Sequence, residues 1–236
     1  MKQQTREKLE HVSVATLATA LFKRGLRNQV LQEVHPISHK GKNMVGPAFT
    51  LRYIPAREDR NTLDVFRNPE HPQRMAIERC PKGHVLVMDS RKDARAASAG
   101  DILITRLMVN GGLGIVTDGG FRDASTIAKL DIPAYHTRPS SPTNLTLHEA
   151  IDINVPIGCG DVAVFPDDIV VGDADCVIII PANIADEIAA EGFEMVAYED
   201  FVTEQVKAGV SITGLYPRTD DKYIAIFEQW RKDNNR

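Results

Sequence analysis

Apolar positions recur along this chain at two spacings, and the spacing divides it into helical and extended stretches. Residues 4–26 carry Val12, Leu17, Leu21 and Phe22 on an approximate helical stripe, with Gly25 as the stop, and predict one helix. Residues 28–54 predict strand, turn, strand. Gly41 marks the turn, and Ala48-Phe49-Thr50-Leu51-Arg52-Tyr53 alternates as a half-buried strand does. Short apolar runs at His84–Asp89, Leu113–Thr117, Asp131–His136 and Asp175–Pro181 predict further strands, the last of them central because it is continuous and β-branched. Residues 145–158 alternate weakly and also predict strands. A helical period runs through Ile102, Leu103, Leu107 and Met108 as one face, and Gly111-Gly112 stops it. Another helix starts at Asp123 and reaches about Leu130. Residues 182–208 read as one long helix or two. Tyr223–Trp230 is amphipathic, and its Phe227 and Trp230 suit docking onto another surface such as a second subunit. Strands alternating with helices predict an α/β fold with a partly parallel sheet.

Between these stretches lie two segments without a period. Residues 55–75 are charged and irregular, and read as a surface loop or a lid leading into a short helix around Gln73–Arg79. Thr137–Asn144 is rich in Pro and Ser and is a loop. The acids of Pro166-Asp167-Asp168 invite a metal, but Asp stabilises turns through its own backbone, and turn chemistry is the preferred reading.

Composition narrows the picture. At 236 residues, with 43% hydrophobic and 25% charged positions, the chain reads as one globular domain over 1–236, with an N-terminal helix 4–26 and a helical tail 209–236. A net charge of −4 lacks the basic footprint of a nucleic-acid binder. Three cysteines, Cys80, Cys159 and Cys176, are too few and too scattered for a disulfide framework or a zinc site, and suit a reducing compartment. No apolar run approaches 18 residues, and Met1–Glu10 is polar, so the expectation is a cytoplasmic protein away from membranes. Seven histidines are scattered. His35 and His39 have a helical gap, but Pro36 and Ser38 make that segment a poor helix, and a His-bound metal is not expected. Gly111-Gly112-Leu113-Gly114 precedes a strand rather than following one, the wrong way round for a dinucleotide loop.

The candidate chemistry gathers in residues 97–123. Gly100-Asp101 and Arg122-Asp123 each sit where a turn feeds a helix N-terminus, and free N–H groups with the positive end of the macrodipole favour an anion there. Arg122 adds a planar fork for a carboxylate, and Asp123 an oxygen ligand for a hard cation. Taken singly, either aspartate also suits a plain N-cap and Arg122 a surface charge. Asp89 ends its strand at the side where ligands collect in open α/β sheets. Arg91 or Arg95 is a candidate for a second carboxylate, although a solvated charge is the simpler role.

The run Gly100-Asp101-Ile102-Leu103, followed about twenty residues later by Asp118-Gly119-Gly120-Phe121-Arg122-Asp123, closely resembles the RraA-like family. Val45–Thr50 is similar to that family's early glycine-proline strand, and Val164–Asp173 to its late turn and strand. The family contains class II 4-hydroxy-4-methyl-2-oxoglutarate aldolases, the related 4-carboxy-4-hydroxy-2-oxoadipate aldolases, and small proteins named as regulators of a ribonuclease. The resemblance implies a swivelling β/β/α fold, a homotrimer (or hexamer) with the site between subunits, and a Mg²⁺- or Mn²⁺-dependent lyase. Such a lyase releases pyruvate from a 2-oxo acid and also decarboxylates oxaloacetate. It implies Asp123 as metal ligand, Gly100, Asp101, Ile102, Leu103 and Arg122 as substrate contacts, and Arg122 with Asp101 as catalytic residues. An acid from a neighbouring subunit can complete such sites. One departure is Thr19, where family enzymes often carry an acid. The family's short regulators lack so long a tail, which favours the aldolase-like subgroup. A non-catalytic regulator of a ribonuclease and a lyase for a sugar-derived 2-oxo acid are the alternatives.

Overall fold

The computed structural model describes residues 1–38 and 41–236, so His39 lies outside the described residues. In chain order the helices are α1 (Gln3–Leu9), α2 (Val14–Phe22), α3 (Pro72–Arg79), α4 (Asp101–Val109), α5 (Ala124–Ile127), α6 (Ala185–Lys207) and α7 (Lys222–Asn234). The strands are β1 (His35–Ser38), β2 (Met44–Pro55), β3 (Val85–Asp89), β4 (Ala97–Ala99), β5 (Gly114–Thr117), β6 (Gly120–Phe121) and β7 (Ala134–His136). They continue as β8 (Arg138–Pro139), β9 (His148–Ile153), β10 (Ile157–Cys159), β11 (Val162–Val164), β12 (Ile169–Gly172) and β13 (Val177–Ile180).

β2 is the spine. Its first residues, Met44–Pro47, pair antiparallel with β12, and its last, Leu51–Pro55, pair antiparallel with β9. Along Ala48–Arg52 its other edge pairs parallel with β3, and β5 and β7 follow in parallel. β1 and β13 close the two ends of this mixed sheet. The fold is α/β and has the swivelling β/β/α arrangement, with helices on a curled mixed sheet.

Burial follows the period of two. Leu86 and Met88 of β3 point to one face, where Ile77 of α3, Ile104 and Leu107 of α4 and Ile127 of α5 cover them. Val85 and Val87 point to the other, under Val162 and Val164 of the β10–β11 hairpin. Farther along the sheet, Val171, Ile178 and Ile180 are covered by Leu17 and Leu21 of α2 and Ile188 of α6.

Several sequence expectations are corrected here. Residues 4–26 form two helices, α1 and α2, because the break is satisfied on both sides. Ser13 Oγ accepts the Thr16 N–H at 3.1 Å as the N-cap of α2, and Asp173 Oδ2 accepts the Val14 N–H at 2.8 Å. The carbonyls of Leu9 and Val12 accept from Asn43 Nδ2 at 3.0 and 2.7 Å. Phe22 is 57% exposed rather than on the buried stripe. In α4 the buried face is Ile104 and Leu107, and Ile102 is 79% exposed. Residues 182–208 open with a 3₁₀ turn, Ala182–Ile184, and continue as the single helix α6. α5 stops at Ile127, short of Leu130.

The aromatic tail docks within its own chain. Phe227 lies 5.4 Å from Phe201 and 5.1 Å from Tyr198 of α6 between ring centroids, and Trp230 Nε1 donates to Glu204 Oε2 at 2.6 Å. The surface on which Phe227 docks is thus α6 of the same chain. No helix among the described residues is long and apolar enough to cross a membrane.

Because α7 is held mainly by this one cluster, Phe227→Ala is expected to remove about 3–5 kcal/mol of local stability. Hydrogen exchange checks this: amides of 222–234 should lose protection while those of β2, β3 and β5 keep theirs.

Candidate active site

Two short strands bring the two turns together. β4 pairs parallel with β6, Ala97 opposite Gly120 and Ala99 opposite Phe121, and the Arg122 N–H donates to Ala99 O at 3.1 Å. The residues that leave these strands, Gly100-Asp101 and Arg122-Asp123, are therefore neighbours. Gly100 is required by close approach: a Cβ there would sit 2.8 Å from Arg122 Cγ and 3.2 Å from Asp123 Oδ2.

β4 and β6 are held by buried polar groups beneath them. Ser90 Oγ, Ser98 Oγ and Thr117 Oγ1 form a triangle with sides of 2.6, 2.8 and 3.1 Å. Thr117 Oγ1 also accepts the Gly119 N–H at 3.0 Å, and a Cβ on Gly119 would lie 2.6 Å from Ser90 Cβ. The carbonyl of Ser98 accepts from Gln73 Nε2 at 2.7 Å and from the Tyr53 hydroxyl at 2.8 Å. Burial pushes the Tyr53 hydroxyl above the usual phenol range, so it stays a donor.

Asp118 ties the neighbouring loops. Its carboxylate accepts from the backbone N–H groups of Ser90 at 2.7 Å, Lys92 at 3.1 Å and Gly160 at 3.2 Å. Burial pushes its pKa up to about 6; the bonds from Ser90 and Gly160 pull it back, and the charge of Asp89 adds to the rise. Asp89 is itself raised by burial and accepts the Arg91 N–H at 2.9 Å. Both acids stand at carboxyl ends of strands, yet they organise loops and do not line the cavity described next.

All six predicted site residues, Gly100, Asp101, Ile102, Leu103, Arg122 and Asp123, line one cavity of about 530 Å³. The first intrahelical bond of α4 runs from the Ile104 N–H to Gly100 O at 3.2 Å, so the amides of 101–103 open the helix. Of these, the Ile102 N–H donates to Asp101 Oδ1 at 2.8 Å. Asp123 adopts the left-handed conformation, φ 59°, and its side chain does not cap α5. Its Oδ2 lies 3.5 Å from Arg122 Nε, and both side chains are about half exposed to the cavity and solvent.

The donor set suits a hard cation. Among the described residues no group of three or more His, Cys, Asp or Glu side chains is placed to hold a metal ion. Mg²⁺ keeps several waters and takes one or two carboxylates, and an Asp123 carboxylate released from capping fits that demand.

The lining residues outside 97–123 carry no motif, but they fall in or next to the segment read as a loop or lid and in the Pro/Ser loop. Leu63 and Phe66 come from the 55–75 segment, and Gln73 and Arg74 from α3. Thr143 and Asn144 of the Pro/Ser loop also line the cavity. Neither arginine proposed for a second carboxylate does. Arg95 pairs with Asp93 at 2.7 Å, and Arg91 donates to Leu147 O at 2.8 Å.

A family model described as RraA-like, Aldolase/RraA, matches residues 14–179. The chain belongs to the RraA-like family. The matched span contains both turns of the site, while α6 and α7 follow it. Within this family the chain is similar to a putative 4-hydroxy-4-methyl-2-oxoglutarate aldolase of Halalkalibacterium halodurans, 36% identical over 157 residues, covering 66% of this chain and 68% of that one. It is also similar to protein DlpA of Legionella pneumophila, 24% identical over 206 residues, which are 87% of this chain and only 32% of DlpA. Among solved structures, Streptomyces coelicolor RraAS2, described as an unusual member of the RNase ES inhibitor RraA protein family, superposes with a TM-score of 0.75. That match has 28% identity and covers 85% of this chain and 96% of RraAS2. The RraA-like assignment and the β/β/α arrangement agree.

Asp118 yields a pH prediction. Its folded pKa lies above the unfolded value, so its contribution to stability is full below about pH 4 and is lost as pH rises through about 6, roughly 3 kcal/mol in total. Urea unfolding from pH 4 to 7.5 should show this decline. Asp118→Asn should flatten it and, because an amide NH₂ would face backbone donors, should be about 1–3 kcal/mol less stable at pH 7.

Proposed function

We propose that this chain is a divalent-metal-dependent lyase. Its substrate is a 4-hydroxy-2-oxo acid of the 4-hydroxy-4-methyl-2-oxoglutarate type, its product is pyruvate, and oxaloacetate decarboxylation is a side activity. The observation that carries the reading is the β4–β6 register, through which Arg122, Asp123 and the opening amides of α4 face one cavity. The similarity to a putative aldolase of this type supports it.

Asp123 is the carboxylate that would hold Mg²⁺ or Mn²⁺, and such an ion supplies Lewis-acid polarisation of the 2-oxo group. The amides of Asp101 and Leu103, at the positive end of α4, bind the substrate's 1-carboxylate. Arg122 pairs with that end and stabilises negative charge growing on the 2-oxo oxygen. Asp101 takes the proton of the 4-hydroxyl. The C3–C4 bond then breaks, its electron pair passes to C3 of the pyruvate fragment, and a carbonyl forms on the other fragment. Return of a proton to C3 completes pyruvate. The same stabilised enolate arises when oxaloacetate loses CO₂, which makes one site competent for both reactions. The reading carries with it a cytoplasmic homotrimer or hexamer.

The likeness to RraAS2 favours a second reading, a protein-binding regulator of a ribonuclease without turnover. The two separate in one assay. Pyruvate release from oxaloacetate and from 4-hydroxy-4-methyl-2-oxoglutarate is expected with Mg²⁺ or Mn²⁺ and should disappear with chelator. Asp123→Asn should abolish the metal dependence. Arg122→Met should lower kcat/KM by about 10- to 150-fold, as loss of a charge-assisted contact of about 1.5–3 kcal/mol requires. Wild-type protein that releases no pyruvate with either metal would sink the lyase reading and turn attention to a nuclease partner.

A further inference from the structure

The cavity contains a second guanidinium that the mechanism above does not use. Arg74, on α3, lines the same space as Arg122 and Asp123 and is half-buried. Its guanidinium carbon lies 4.4 Å from the centroid of the Phe66 ring, and that ring is itself held edge-on against His71 at 5.3 Å. Burial lowers its pKa from the ordinary arginine value. Among the described residues the Arg74 side chain makes neither an ion pair nor a hydrogen bond. Nearby arginines do otherwise: Arg106 grips Glu78 through Nε and Nη2 at 3.0 and 2.8 Å, and Arg95 pairs with Asp93.

No group of the chain takes the guanidinium's donors among the described residues, so they stand available to an acceptor that enters the cavity. The cation–π contact with Phe66 holds the group against one wall of the cavity. The ligand chemistry follows from the walls. Arg74 and Arg122 are the only cations among the cavity's lining residues, and Leu63, Phe66 and Ile102 supply apolar wall. One planar fork without a lysine beside it matches a carboxylate better than a phosphate dianion.

We propose that Arg74 is a specificity-determining residue that receives a carboxylate on the part of the substrate distal to the 2-oxo group. The proposal rests on the pyruvate-lyase reading for which end of the substrate faces Arg122. It adds a recognition element from α3, outside the two turns.

The test is a binding comparison that needs no turnover. Isothermal titration with Mg²⁺ present uses 2-oxoglutarate and 2-oxopentanoate, which share a five-carbon chain and differ in a terminal carboxylate or methyl. Wild-type protein should prefer 2-oxoglutarate by roughly 10- to 150-fold. In Arg74→Met, which keeps an apolar stem against Phe66, the preference should collapse to about twofold or less. Arg74→Lys, which keeps charge but loses the fork, should restore part of it and guards against misfolding of the first variant. Wild-type protein that binds the two acids alike, or binds neither, overturns the proposal, as does a preference that survives in Arg74→Met. An Arg74-dependent preference without pyruvate release would sink the lyase reading alone. Pyruvate release with no such preference would sink the Arg74 assignment alone.

Discussion

The candidate site depends on a pairing of two very short strands. β4 has three residues and β6 two, too few to hold their register by ladder bonds alone. What holds them is the buried triangle of Ser90, Ser98 and Thr117 hydroxyls, with Gln73 and Tyr53 closing on the Ser98 carbonyl. Each bond contributes only about 0.5–1.5 kcal/mol net, but leaving any one of these buried groups unpaired costs about 1–3 kcal/mol. The set is therefore satisfied together, and the strands that carry Gly100 and Arg122 have one placement.

That constraint sits on a sheet whose own order is set by β2. A twelve-residue strand is long enough to pair with β12 at its start, β3 along its middle and β9 at its end. Apolar side chains on both faces of β3 then recruit helices on one side and the β10–β11 hairpin on the other. The polar exceptions inside this core, Asp118 above all, satisfy backbone groups in the loops at the carboxyl ends of the strands. Those bonds tie the loops of Ser90, Lys92 and Gly160 to the end of β5. Burial raises the pKa of this acid while the anchoring bonds lower it, so the rise marks how deep the group lies.

The cavity combines two kinds of wall. The turns contribute charge and amides, suited to a small anion beside a hard cation. The 63–67 turn and α3 contribute apolar surface and Arg74, suited to the rest of the ligand. The first wall is common to the chemistry proposed for the family, and the second belongs to a segment of 55–75 that has no periodic pattern. The proposed chemistry and the proposed selectivity thus draw on separate parts of the chain.

Local patterns were enough to read much of this protein. The alternation in Ala48–Tyr53, the apolar runs at His84–Asp89 and Asp175–Pro181, and the glycine-led turns at Gly100 and Gly120 announced strands, the α/β class and the residues gathered at one cavity. These features are short in range, governed by side-chain period and backbone freedom. The rest was decided by contacts distant in sequence. Asn43 and Asp173 break the 4–26 stretch into two helices by satisfying the ends. Phe227 of α7 buries itself on Phe201 and Tyr198 of α6. Arg74 carries no local mark at all: only the packing of α3 beside β4 puts its guanidinium next to Arg122's cavity. Which residues form helix or strand is written in neighbours a few positions away, whereas which groups meet across a cavity is settled by the packing of whole elements.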